Sequence, residues 1–184
     1  MNYGSSLILV YDYFHNAWTK YDGIQAHAMT TITDLTEEEQ LYTGDFNLGV
    51  IYKQDTGNND DGNAIDAYYQ TKWYRFPDIK ASAKVFRLLR VFATEEGSWS
   101  LTIDAKNDFA ADTQSYTLSL TSSAAVWDTG LWDSAIWGGD TILVGRFHPE
   151  LRESFFQLKF SNDGTDEPFT VYGWQMFIEP QDII

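Results

Sequence analysis

Apolar and polar positions alternate along most of this chain in short runs, and turn-forming residues cut the runs. Residues 7–13 (LILVYDY) are apolar and aromatic, residues 14–16 (FHN) turn, and residues 17–21 (AWTKY) return. Asp22-Gly23 is a hairpin dipeptide. Residues 24–33, 39–44 (EQLYTG) and 49–53 (GVIYK) continue the pattern, with a turn at 45–48. Strand and turn units at this spacing predict all-β structure. The succession of aromatic strand, tight turn and next strand reads as one blade of a β-propeller, a single antiparallel sheet over residues 1–55. No second copy follows. A lone blade cannot bury both faces, so it must pack on the rest of the chain or on something outside it.

Residues 56–63 (TGNNDDGN) interrupt the alternation and predict a linker loop. Alternation resumes at 64–76 (AIDAYYQTKWYRF), which predicts one long strand. Its Ile65, Ala67, Tyr69, Thr71 and Trp73 share one face; Asp66, Tyr68, Gln70 and Lys72 share the other. Residues 80–94 (KASAKVFRLLRVFAT) fit two periods. Val85, Leu88, Leu89 and Phe92 have helical spacing. As a strand, Val85, Arg87, Leu89 and Val91 oppose Phe86, Leu88, Arg90 and Phe92. The β-rich surroundings favour the strand. Further strands are predicted at 98–105, 114–120, 141–147, 154–160 and 168–178, with a tight turn at Asn162-Asp163-Gly164. Residues 64–184 thus predict an antiparallel, jelly-roll-like β-sandwich of about seven or eight strands.

One stretch obeys no regular period. In residues 126–139 (VWDTGLWDSAIWGG), Trp127, Trp132 and Trp137 recur every five residues. Five matches neither a strand nor a helix, so the tryptophans are not equivalent positions of one element. They can cover an open end of the sandwich, anchor a subunit interface, or form a stacking platform for sugar rings.

Composition narrows the function. The net charge is −15, from 27 acidic and 12 basic side chains. That opposes broad nucleic-acid binding and docking on an anionic membrane, both of which need clustered Lys and Arg. It suits a basic partner, or keeps a crowded assembly soluble. Cysteine is absent, which excludes disulfides and thiolate metal sites. The apolar run at 7–10 is too short for a signal-peptide core or a membrane span, so the expectation is a protein that stays where it is made or enters a particle assembled there.

The candidate sites are few. Lys84, Arg87 and Arg90 make a basic island in an acidic chain. It is either a solvated strand face or a contact for an acidic patch of a neighbouring copy. Asp55, Asp60 and Asp61 with Asn58, Asn59 and Asn63 offer hard oxygens, but their offsets do not fit an EF-hand, and Asx-turn chemistry explains them. Residues 162–167 (NDGTDE) fall under the same explanation. Asp66, Asp104, Asp128 and Asp133 carry no specific sign of a glycosidase pair in so acidic a chain. No nucleophile elbow, phosphate loop, dinucleotide fingerprint or HExxH motif is present. The residues imply no enzyme, no cofactor and no metal.

Four stretches carry a family resemblance: LVYDYFHNAWTKYDG; LYTGDFNLGVIYKQDTGNNDDGNAIDAYYQTKWYRFPD; the tryptophan ribbon; and DEPFTVYGWQMFIEP. Together they resemble the C-terminal portion of phage tail-hub, or packaged-DNA stabilization (tail accessory, stopper), proteins of short-tailed phages. That resemblance implies a structural virion protein of a tail or head–tail connector. It implies a homo-oligomeric, six-fold ring in contact with other tail or connector proteins, and DNA only as a passing or enclosed genome. A full hub of this kind is longer and carries a complete propeller. No catalytic residue transfers, because the family is structural. The expected contact residues are Trp18, Lys84, Arg87, Arg90, Trp127, Trp132 and Trp137. The alternative expectation is a carbohydrate-binding β-sandwich module of a phage or bacterial adhesin.

Overall fold

A computed structural model describes residues 7–21, 26–33, 38–45, 47–75, 83–107, 112–121, 142–149, 151–153 and 155–181. The described residues contain fourteen β-strands and no helix. They divide into two compact units, Met1–Gly57 and Asn58–Ile184. The division falls inside the polar loop at 56–63.

In the first unit, β1 (Ile8–Asp12) and β2 (Ala17–Tyr21) form a two-stranded hairpin. Strands β3 (Ala26–Thr33), β4 (Glu39–Asp45) and β5 (Ile51–Lys53) form a separate three-stranded meander. The five strands predicted here are therefore shared between two antiparallel sheets, where the sequence suggested one blade-like sheet. Each sheet closes on local turn chemistry. Asp12 Oδ1 accepts from the backbone N–H groups of Phe14 (2.9 Å) and His15 (3.1 Å), and Asn16 takes a positive φ of 51°. Asp45 Oδ1 accepts from Asn47 (2.6 Å) and Leu48 (2.7 Å), ahead of Gly49 at φ 63°. Short acidic side chains that cap the following backbone are common turn formers. The Tyr21 hydroxyl donates to Asp55 Oδ1 at 3.0 Å, tying the end of β2 to the segment after β5. Burial, and then the Asp55 carboxylate, push the Tyr21 phenol above its usual range.

The second unit contains two sheets packed face to face. In one, β10 (Asp112–Ser119), β9 (Ser100–Asn107) and β13 (Phe155–Asn162) lie side by side. Strands β6 (Ala67–Gln70) and β7 (Tyr74–Arg75) run end to end along the free side of β13. In the other sheet, β8 (Ala83–Thr94) is central. It is flanked by β14 (Val171–Gln181) on one side, and by β11 (Ile142–Phe147) and β12 (Leu151–Glu153) end to end on the other. The sequence did not anticipate β12.

Alternation builds the core. Leu101, Ile103 and Ala105 of β9 point inward, as do Phe156, Leu158 and Phe160 of β13, and all six are fully buried. They meet Phe86, Leu89, Val91 and Ala93 of β8 in one cluster. Aromatic rings span the two sheets: Phe86 lies 4.9 Å from Phe156, and Trp174 lies 6.2 Å from Phe156. Each fully buried side chain of this size stabilises the fold by about 1.5–3 kcal/mol relative to exposure.

Two departures from simple alternation decide which side chains face the core of this unit. The long strand expected at 64–76 is broken. Gln70 faces Lys159 and Tyr74 faces Phe156, so three residues of one strand oppose two of the other. That is a β-bulge, and Thr71 satisfies it. Its N–H donates to the Leu158 carbonyl (2.9 Å), and its Oγ1 accepts from the Leu158 N–H (3.0 Å). Gln157 Nε2 donates to the Thr71 carbonyl at 2.8 Å.

The second departure is in β8. Phe177 faces Leu88 and Ile178 faces Phe86, leaving Arg87 as an extra residue. The inward positions are therefore Phe86, Leu89, Val91 and Ala93, not the unbroken alternation expected. The helical set Val85, Leu88, Leu89 and Phe92 does not share one face: Leu89 is in the core cluster, whereas Val85, Leu88 and Phe92 are outside it.

Candidate assembly surfaces

The residues singled out by sequence do not converge on one site. Trp127, Trp132 and Trp137 lie outside the described residues, as do Asp128 and Asp133. Trp18 is on β2 and is 68% exposed. It faces Tyr11 across the hairpin, with ring centroids 4.8 Å apart and planes tilted by 38°. Leu9 stands on the same side of β1, opposite Lys20, and is also exposed. The hairpin thus presents Leu9, Tyr11 and Trp18 to its surroundings.

The rest of the first unit repeats that character. Met29, Ile32, Leu48, Val50 and Ile51 are exposed. Among its described residues no apolar side chain is fully buried, and its buried side chain is Thr43, whose Oγ1 accepts from Gln54 Nε2 at 2.7 Å.

The basic island separates into three environments. Lys84 is 4% exposed, which removes it from the surface of this unit. Arg87 sits at the bulge, and its Nε donates to Glu179 Oε2 at 2.6 Å in an exposed pair. Arg90 lies on the outer face of the sheet with its guanidinium 4.8 Å from the Phe177 ring centre.

Arg146 of β11 is the direct cross-strand neighbour of Arg90, and sequence reasoning missed it. The two are 56 positions apart (146 − 90), so only strand pairing joins them. Around them the same face carries Leu88, Phe92, Val144, Ile142 and Phe177. Of these, Ile142, Val144 and Phe177 are substantially exposed.

The outer face of the other sheet is different. Thr102, Asp104, Lys106, Ser115, Thr117 and Ser161 line it, and Ser115 Oγ donates to Asp104 Oδ1 at 2.6 Å. Lys159 rests 4.9 Å from the Tyr68 ring centre.

The two acidic turns come together. Asn59 Nδ2 donates to Asp166 Oδ1 at 2.6 Å, joining the loop before β6 to the turn after β13. Within each turn, Asn side chains accept from glycine N–H groups: Asn59 Oδ1 from Gly62 at 2.8 Å, and Asn162 Oδ1 from Gly164 at 2.6 Å. Asp61, Gly62 and Asp166 take positive φ values of 48°, 83° and 58°. This is turn chemistry. Among the described residues, no group of three or more His, Asp or Glu side chains is placed to hold a metal ion. Nor is any helix long and apolar enough to cross a membrane.

Comparison with protein families, with curated proteins and with solved structures found no match.

Proposed function

We propose that this chain is a structural component of a phage tail or head–tail connector, working in several copies as part of a tail-hub or stopper-type ring. One observation carries the assembly half of the proposal. The first unit exposes Leu9, Tyr11, Trp18, Met29, Ile32, Leu48, Val50 and Ile51, and no apolar side chain among its described residues is fully buried. Apolar side chains exposed in this number, with none buried among the described residues, support an interaction role. The virion half rests on the sequence resemblance described above. The high negative charge is consistent with it, since an acidic wall repels phosphates and lets an enclosed genome slide. The role is mechanical and calls for no catalytic group.

Mass spectrometry of density-gradient-purified particles from the source of the gene tests the proposal. Peptides of this chain at a fixed ratio to the portal or tail proteins are the expected result. Their absence from intact particles overturns the virion role. A carbohydrate-binding role has one observation in its favour, the exposed Tyr11 and Trp18 pair. It requires saturable glycan binding that Trp18→Ala abolishes.

A further inference from the structure

The outer face of β8, β11 and β14 is an unusual surface for this protein. The outer side of a sandwich sheet ordinarily alternates to polar residues, and the opposite sheet obeys that rule. Here Leu88, Phe92, Ile142, Val144 and Phe177 lie around two arginines, with Gln175 as the polar cross-strand neighbour of Arg90 on β14. Arg90 and Arg146 are direct cross-strand neighbours, a position in which like charges destabilise each other. Among the described residues neither has a carboxylate partner. The Nε–H of Arg90 is buried without a hydrogen-bond acceptor, and so is the hydroxyl of Thr94, which faces Ile142 on the same side. Buried polar atoms of this kind ordinarily have a partner. Arg90 has the Phe177 ring beside it and Arg146 is exposed, so an apolar face with two guanidiniums and no carboxylate of its own suits an occupant that supplies carboxylates.

We propose that this face receives the paired acidic turns of a second copy of this chain, in a head-to-tail contact. The contact deepens the assembly role proposed above and rests on it. Charge complementarity selects the occupant. The chain carries 27 acidic against 12 basic side chains. Its loop before β6 and its turn after β13 are pinned together and present Asp60, Asp61 and Asp163, all exposed. A symmetric contact of the arginine face with itself sets guanidinium against guanidinium and is disfavoured. The remaining geometry joins two different surfaces. A heterologous contact of that kind propagates into a ring when its rotation closes and into a filament when it does not.

Sedimentation velocity of the full chain at low and high salt tests the contact. Wild type associates at low salt and less at high salt. Arg90→Glu with Arg146→Glu weakens self-association by about tenfold or more. So does Asp60→Lys with Asp163→Lys, a second pair placed in exposed turns; Asp166 is left alone because it holds Asn59. Near-ultraviolet circular dichroism confirms that each variant is folded. Mixing the two folded variants restores association, because one mixed contact is the native one and the other has both charges reversed.

Several results overturn the contact: a monomeric wild type at both salts, unaltered association in either variant, or a mixture that stays monomeric. If the chain is found in particles while the arginine variant associates normally, this contact fails and the virion role stands. If the variant loses association while the particles lack the chain, the opposite holds.

Discussion

The two units of this chain are built from the same material and end in opposite conditions. Both are antiparallel β-structure closed by Asp and Asn turns. The unit Asn58–Ile184 has an apolar interior of Phe86, Leu101, Ile103, Phe156, Leu158 and Phe160. The unit Met1–Gly57 has no such interior among its described residues, although its strands are as apolar in composition. The difference lies in layers. Two sheets facing each other give every inward side chain an opposite neighbour, whereas a hairpin and a meander give it a neighbour only within the sheet. Strand pairing is satisfied in both units; burial is satisfied in one.

The sharpest test of that contrast is to separate them. Residues 58–184 alone should melt cooperatively, and residues 1–57 alone should show no cooperative transition by circular dichroism. A cooperative melt of 1–57 would mean that its apolar side chains find an interior of their own, and the contrast would collapse. Next in size is a substitution in the interior. Phe160→Ala should destabilise the second unit by about 3–5 kcal/mol in a denaturant titration. Ile51→Ala, at a side chain 73% exposed in the first unit, should move stability by no more than about 0.5 kcal/mol. Thr71→Val keeps shape and removes the Oγ1 that accepts from Leu158, leaving a buried N–H without that partner. It should cost about 1–3 kcal/mol. Arg87→Ala should cost less than about 1 kcal/mol, because its pair with Glu179 is solvent-exposed on both sides.

The same comparison explains what could be read from the chain in advance. Local signals were legible: the strands around 8–21, those at β9 and β13, the turn at Asn162, and the loop at 56–63 that holds the unit division. Long-range consequences were not. The bulge at Arg87 depends on how β14 pairs with β8, and it changes which residues face inward. The bulge at Thr71 depends on the register of β13. Lys84 looked like part of a basic face because sequence shows spacing and not burial. Arg146 looked like an isolated residue because only the β8 and β11 pairing brings it beside Arg90. The division of the first unit into two sheets escaped notice for a related reason. Strand lengths and turns are local, whereas the choice of which strand pairs with which is not.

The smallest expected effect concerns the turn that closes the hairpin of the first unit. The Asp12 carboxylate contacts His15 Nδ1 at 2.6 Å and also accepts from two backbone N–H groups. The His15 side-chain hydrogen bond is the largest of the influences that hold Asp12 below the ordinary carboxylate value of 3.8. A group whose folded value is lowered contributes stability above its unfolded value and loses it as the pH falls through the folded one. The hairpin should therefore loosen only in acid, below 3.8, while the second unit keeps its core. A carboxyl-carbon NMR titration would read this directly. Asp12 should titrate below 3.8 in the wild type, and His15→Ala should move it back toward that value. The Tyr11 hydroxyl, which donates to Asn16 Oδ1 at 2.7 Å across the same turn, is left in place by that substitution. If Asp12 titrates at its ordinary value in the wild type, the turn is not closed by its carboxylate. The exposed face of Leu9, Tyr11 and Trp18 would then rest on the backbone ladder, the Tyr11–Asn16 hydrogen bond and the Tyr11–Trp18 ring contact.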